Sequence, residues 1–338
     1  MSDASIDDVR GGSGDRNRGG DDRGRDARRP SDIPKRGWKD VLFRVKEEVK
    51  QDHVAIISAG VAFFGVLAIF PALLAIISLY GLLTSPQEAA RQIQEALGFL
   101  PADATSLVNR QVTKIAASQD STLGTGAIVG LLAALWSASS GMKALNEGMN
   151  VAYDEPETRG FLKKRGIAIL MTLGGLVVVI FALMGIVGVP ALVANLNWAT
   201  PLEIVLSVAT IFVVAALFVV ALAVVYRIGP NRDNPEWRWV SWGAVIATIL
   251  WLIGSAAFSF YVDNFGTYNE TYGSVAGVIV LLLWLFLSAF MVMLGAEINA
   301  ELEHQTAKDS TEGQDRPLGQ RGAEMADTVG EPAESRKR

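Results

Sequence analysis

The sequence predicts an all-α polytopic membrane protein with six transmembrane helices. Six stretches, 54–83, 123–142, 166–190, 204–226, 239–262 and 273–296, contain no Asp, Glu, Lys, Arg or His. Each is about 20 residues or longer, enough to cross a hydrocarbon core about 30 Å thick as a helix. Half of the 338 residues are hydrophobic, and the charges collect in tails and short loops; a soluble domain would interleave them every few residues. The net charge of −5 is therefore an average over unlike regions. Cysteine is absent, which removes disulfides, thiolate metal sites and a cysteine nucleophile.

Taken in order, residues 1–36 read as a disordered polyampholyte tail. Eight Asp alternate with seven Arg over the first 34 residues, with almost nothing apolar between them. No apolar stretch precedes residue 37, so the first span is expected to act as an uncleaved insertion signal. Between 37 and 52, Trp38, Val41, Leu42, Val45 and Val49 recur at helical spacing with Lys and Glu opposite. That pattern predicts an amphipathic helix on the membrane surface. The first span would be about 45 Å long if fully helical, with Pro71 inside it as a kink.

The loop at 84–122 predicts two short amphipathic helices. Ser85 is placed to cap the first, with Pro86 at its first position and Glu88 at its third. Ile93, Ala96 and Leu97 share a face there, and Val108, Val112, Ile115 and Ala116 share one in the second. Residues 37–303 form the expected membrane domain, and 304–338 a second disordered tail.

Lys and Arg counts set the expected orientation. Fourteen lie between residue 35 and span 1 and in the loops after spans 2 and 4, against three in the opposite loops. Both termini are expected in the cytoplasm.

Three segments carry a family likeness: ALWSASSGMKALNEGMNVAY (134–153) with ETRGFLKKR (157–165), YRIGPNR (226–232) with WRWVSWGA (237–244), and the long run 258–303 beginning FSFYVDNFGTYNETYG. In this order and spacing they resemble the YihY/BrkB family of bacterial inner-membrane proteins, once labelled ribonuclease BN. The resemblance runs from about residue 37 to 303. It implies a six-span helical fold in a bacterial plasma membrane, in a family linked to serum resistance and envelope-lipid export.

Chemistry weighs against the nuclease label. Phosphodiester hydrolysis needs a carboxylate or His cluster holding metal, or a positioned acid and base. The two histidines, His53 and His304, stand alone at the edges of spans, and neither belongs to a metal motif. No Walker phosphate loop is present either. The expectation is a non-enzyme with no cofactor, no metal and no nucleic-acid partner.

Candidate substrate-path residues are Trp136, Ser137, Ser139, Asn146 and Asn150 at the end of span 2, with Glu297 and Asn299 at the end of span 6. Ser139, Asn146 and Asn150 share one helical face with Lys143, which serves either as interhelical glue or as a groove wall. Glu297 is expected to bond a neighbouring helix or a basic residue such as Arg165 or Arg232. Arg159, Lys163, Lys164, Arg165 and Arg232 are candidates to hold anionic headgroups. Tyr261, Asp263, Asn264, Tyr268 and Tyr272 crowd the turn between spans 5 and 6, where tyrosines ordinarily anchor the interface.

The reading is a protein that binds or translocates a lipid or lipid-linked envelope molecule without its own ATPase. Its expected partners are membrane lipids, with a second copy or another membrane protein beside them. The alternative is a membrane scaffold.

Overall fold

The computed structural model describes residues 22–80, 85–96, 105–106, 108–110, 112–113, 125–188, 200–265, 275–333 and 335. Eight helices longer than one turn follow in order. They are α1 (Lys35–Gln51), α2 (Val54–Tyr80), α3 (Pro86–Ala96), α4 (Thr125–Ala152), α5 (Phe161–Leu183), α6 (Thr200–Ile228), α7 (Trp237–Phe265) and α8 (Ala276–Glu303). No β-strand is present among the described residues; one isolated bridge joins Pro235 and Thr311.

Among the described residues, four helices are long and apolar enough to cross a membrane: Phe161–Ile186, Val208–Ile228, Trp237–Val262 and Ala276–Glu303. A fifth is added when Lys35–Gln51 and Val54–Ile69, bent by 62°, are counted as one span. The chain is thus a polytopic helical membrane protein, with four to five spans legible against the expected six. Helix α4, the expected second span, does not qualify over its described side chains. Lys143, Asn146 and Glu147 dilute its second half.

The packing follows from small residues. Helix α2 lies chiefly against α4 and α8, α7 against α8, and α5 against α4. A Cβ on Gly243 of α7 would overlap the Gly295 carbonyl of α8, so these two backbones cross in direct contact. Tyr226 of α6 donates its hydroxyl to the Val292 carbonyl (2.8 Å), fixing α6 on the same crossing. Around it, Val54, Met149, Tyr153, Leu222, Ala244, Met293 and Ala300 form the core of one end. Outward, α6 exposes Ile211, Phe212 and Val213, and α7 exposes Ile249, Leu252 and Ile253. Such a contiguous apolar surface fits hydrocarbon as its solvent.

At the other end, Ser85 Oγ accepts the Glu88 amide (3.1 Å) and starts α3. Ala90 and Ile93 of α3 pack with Val108 and Val112 on Leu73, Ile77 and Leu176. Residues 97, 115 and 116 lie outside the described residues.

The structure departs from the sequence reading in both tails. Residues 22–33 and 304–333 are folded against the charged end of the bundle. Thr306 Oγ1 donates to the Ala27 carbonyl (2.7 Å), Arg227 pairs with Glu312 (2.5 Å), and Met325 sits in the main core. Arg321 is buried and donates to the carbonyls of Ala307, Lys308 and Ala326. The physical reason is that these polar segments find fixed partners in the charges left at the helix ends. Composition, which judged them by their own apolar content, could not register that. Helix α1 also differs in emphasis. Its Val41, Arg44 and Val45 are buried in the protein, with Ile298 and Leu302 of α8 in the same cluster, while Leu42 points outward.

Candidate functional site

The site is built where α4 and α5 leave the charged end. Helix α5 begins at Phe161 after Gly160, and no side chain caps its first amides. Those amides carry the partial positive charge of a helix N-terminus. One turn in, Arg165 is 8% exposed. Its guanidinium lies 4.1 Å from the centroid of the Trp136 ring of α4, a cation–π contact. It donates to the Trp136 carbonyl and lies 3.5 Å from Ser140 Oγ. Its Nε has no hydrogen-bond partner among the described residues.

Beside it opens a cavity of about 230 Å³ lined by Trp136, Ser140, Lys143, Phe161, Lys164 and Arg165. Glu147 is the counter-charge here. It accepts from Lys164 Nζ at 2.8 Å and lies 3.6 Å from Lys143 Nζ. Three cations against one carboxylate leave the cavity positive. Phe161, in its wall, is largely exposed, as is the next residue Leu162 (83%). An acceptor-rich anion entering here would find the Arg165 cation, the Ser140 hydroxyl, two ammonium groups and a helix N-terminus.

A second cavity of about 320 Å³ lies on the opposite face of α4. It is apolar, walled by Gly65, Gly141, Met142, Leu145, Phe218, Trp251, Trp284 and Leu285 among others. Trp251 donates to Ser288 Oγ (2.9 Å) and Trp284 to Ser255 Oγ (3.3 Å), so both indoles turn their apolar rings to the space.

The sequence candidates divide on this frame. Trp136, Lys164 and Arg165 meet in the basic cavity. Lys163 is exposed. Arg159 is held by Glu157 through two hydrogen bonds (2.9 and 2.7 Å) and donates to the Gly229 carbonyl (3.0 Å). That guanidinium pulls the Glu157 carboxyl down to about 2. Arg232 is sealed in an ion pair with Glu303 (2.6 Å), both side chains fully buried, under the Tyr153 ring.

Along α4, Ser137 is exposed, while Ser139 is buried and donates to the Trp136 carbonyl (2.7 Å). Asn150 works as glue: its amide donates to Glu157 Oε2 (3.0 Å) and its oxygen accepts the Asn231 amide (2.7 Å). Asn146 is buried, 3.5 Å from Met171 Sδ, and its oxygen lacks a partner among the described residues. Asn299 clamps α7, accepting from the Gly243 amide (2.7 Å) and donating to the Val240 carbonyl (3.1 Å).

Glu297 is not bonded to Arg165 or Arg232, each of which has the other partners described above. It is 1% exposed and faces Asp52 at the corner between α1 and α2. Of the outer-turn residues, Tyr261 is half exposed and Asn264 donates to the Phe260 carbonyl (2.8 Å). Asp263 lies in α7, its side chain outside the described residues, as are Tyr268 and Tyr272.

Sequence reasoning missed Phe161 as a cavity wall, and it missed Asp52 and Arg44. Arg44 is fully buried against Glu301 at 2.5 Å. An Arg at this place in an amphipathic pattern carries no sign that its partner lies 257 residues later. Among the described residues no group of three His, Asp or Glu side chains is arranged to hold a metal ion.

The family described as Virulence factor BrkB matches residues 45–319. The chain is similar to a putative ribonuclease-like protein, YfkH, of Bacillus subtilis (strain 168), 35% identical over 249 residues, covering 72% of this chain and 88% of that one. A UPF0761 membrane protein of Alteromonas mediterranea is 27% identical over 257 residues, covering 75% and 84%. Another, of Nitrosospira multiformis, is 43% identical over a shorter stretch of 83 residues, 25% of this chain and 19% of that protein. No solved structure matches the chain.

Proposed function

The chain belongs to the Virulence factor BrkB family of multi-pass membrane proteins, and we propose that it binds or translocates an anionic lipid or lipid-linked envelope molecule. The observation that carries this reading is the basic cavity, where Lys143, Lys164 and Arg165 meet with Glu147 as the carboxylate described against them. Charge-assisted hydrogen bonds from such groups to a phosphate oxygen are stronger than neutral ones, which suits an anionic headgroup. Leu162 and Leu170 of α5 are exposed apolar side chains, a surface on which a lipid's tails could stay in hydrocarbon while its headgroup enters the cavity. The apolar cavity behind α4 suits an acyl or isoprenyl chain. Because α4 separates the two, they would serve different lipids or different moments of passage, not one bound molecule.

The orientation and span count belong to the same proposal: six spans in a bacterial inner membrane, with both termini cytoplasmic and the charged end inward. The segregation of Lys and Arg supports it. The reading assigns the chain no hydrolysis; the ribonuclease-like name belongs to the relative.

The test is lipid binding and transbilayer movement in liposomes of phosphatidylglycerol and phosphatidylcholine. Arg165→Gln should weaken retention of phosphatidylglycerol and slow its movement, with phosphatidylcholine unaffected. Unchanged movement of every headgroup with and without the protein, together with capture of a stoichiometric protein partner by crosslinking, would replace this reading with the scaffold.

A further inference from the structure

The corner where α1 turns into α2, against the end of α8, holds an excess of carboxylates. Glu48 and Asp52 are half-buried, Glu297 and Glu301 are buried, and Asp154 is exposed at the rim. Arg44, the arginine paired within this corner, is committed to Glu301 through its Nε (2.5 Å) and to the Glu301 carbonyl through Nη2 (3.1 Å). His304 Nδ1 also faces Glu301, at 3.7 Å. Beyond Tyr153, Arg232 is taken by Glu303. Helix α2 carries no charge. His53, at the corner itself, and the buried Tyr153 hydroxyl are the other titratable neighbours among the described residues.

Among the described residues Glu297 is therefore a carboxyl paired with no cation. Its Oε1 has no hydrogen-bond partner among the described residues, and its neighbour within hydrogen-bonding reach is the Asp52 carboxyl. Two carboxyl groups bond only if one of them carries a proton. A fully ionised pair in this interior would suffer both desolvation and mutual repulsion. Two backbone features hold the corner in place: His53 (φ 51°) and Asp154 (φ 53°) are both in the left-handed region without being glycine. The carboxylates are not arranged to hold a metal ion among the described residues, which leaves the proton as the ligand that fits.

We infer that Asp52 and Glu297 form a reversible proton-binding site, in which buried Glu297 holds the proton and half-exposed Asp52 exchanges it with solvent. The transfer is balanced: the O–H bond of one carboxylic acid breaks as that of its neighbour forms, and Asp52 passes the proton to water. Burial, reinforced by Asp154 and Glu48, lifts the Asp52 carboxyl to about 6, close to the range where such exchange is reversible near neutral pH. The site requires nothing of the lipid reading above and stands or falls separately.

The experiment is infrared difference spectroscopy of the full chain in lipid nanodiscs, following the pH-dependent C=O stretch of a protonated carboxyl, told from the lipid ester carbonyls by its shift in D2O. Wild type should keep this band at pH 7, and Glu297→Gln should lose it. A wild type without the band at pH 7, or a band undiminished in Glu297→Gln, overturns the inference. Should Glu297→Gln not fold, Asp52→Asn decides the matter. Removing the neighbouring charge should lower the pH at which the band disappears by a unit or more, a tenfold or greater loss of proton affinity. An unmoved midpoint overturns it.

Discussion

Between α4 and α5, three cations and one carboxylate surround an open cavity. Where α1, α2 and α8 meet, five carboxylates gather around one arginine at a packed corner. Both regions sit at the same charged end, and both leave one buried polar atom unpartnered, Arg165 Nε in one and Glu297 Oε1 in the other. The lesson is that uncompensated charge resolves differently by access. An exposed cavity with spare cations can recruit an anion from outside, whereas a closed corner with spare carboxylates can only take up a proton.

The largest expected effect comes from breaking the one ion pair that stabilises the acidic corner. Arg44→Met strands Glu301 without its counter-ion in a site that is nearly inaccessible. It should cost about 3–5 kcal/mol, read as loss of folded protein in detergent-based unfolding. A double change, Arg44→Met with Glu301→Leu, should recover most of that loss, since the isolated charge is gone.

The corresponding change in the basic region should spare stability and act on ligand. Charge-assisted hydrogen bonds are worth about 1.5–3 kcal/mol, so Arg165→Gln should weaken anionic-lipid binding by roughly 10- to 100-fold. Retention of phosphatidylglycerol during delipidation measures it, with an unfolding midpoint near wild type as the control.

The acidic corner and the Arg159–Glu157 pair should also respond oppositely to pH. Asp52 is raised from 3.8 to about 6 by burial and by the Asp154 and Glu48 charges. The folded state then holds more protons than the unfolded one between those values. Its contribution is complete below pH 4 and is lost as pH rises toward 6. Discounted for its half exposure, the effect is about 1 kcal/mol, and Asp52→Asn should flatten it. Glu157, held down to about 2 by Arg159, does the reverse. Its contribution is present above its ordinary 4.5 and is lost as pH falls toward 2. Unfolding midpoints across pH 3–7 for wild type, Asp52→Asn and Glu157→Gln separate the two slopes.

The smallest effect is expected at Lys164 and Glu147, a partly exposed pair (2.8 Å). Glu147→Gln should change stability by less than about 1 kcal/mol. It should nevertheless tighten anion binding, because it removes the only carboxylate that the described structure places against Lys143 and Lys164. Weaker anion binding in Glu147→Gln would instead make that carboxylate part of the binding site.

The sequence by itself determined the membrane class. Stretches of α5 to α8 without charge leave a helix in hydrocarbon as the only way to satisfy their backbone groups. It also placed the Ser85 cap and brought Trp136, Lys164 and Arg165 forward as candidates, because caps and cationic clusters are local patterns. Tertiary structure alone decided which cations are available. Arg159 and Arg232 read like Arg165 in sequence, yet Glu157 and Glu303 occupy them while Arg165 keeps a free nitrogen. It also decided that Asp52 meets Glu297, that Arg44 meets Glu301, and that the described tail residues fold back on the helix ends. The physical reason is common to all of these. Hydropathy and helical period are properties of neighbouring residues, while the state of a charge depends on a partner that can lie hundreds of residues away and is brought near only by packing.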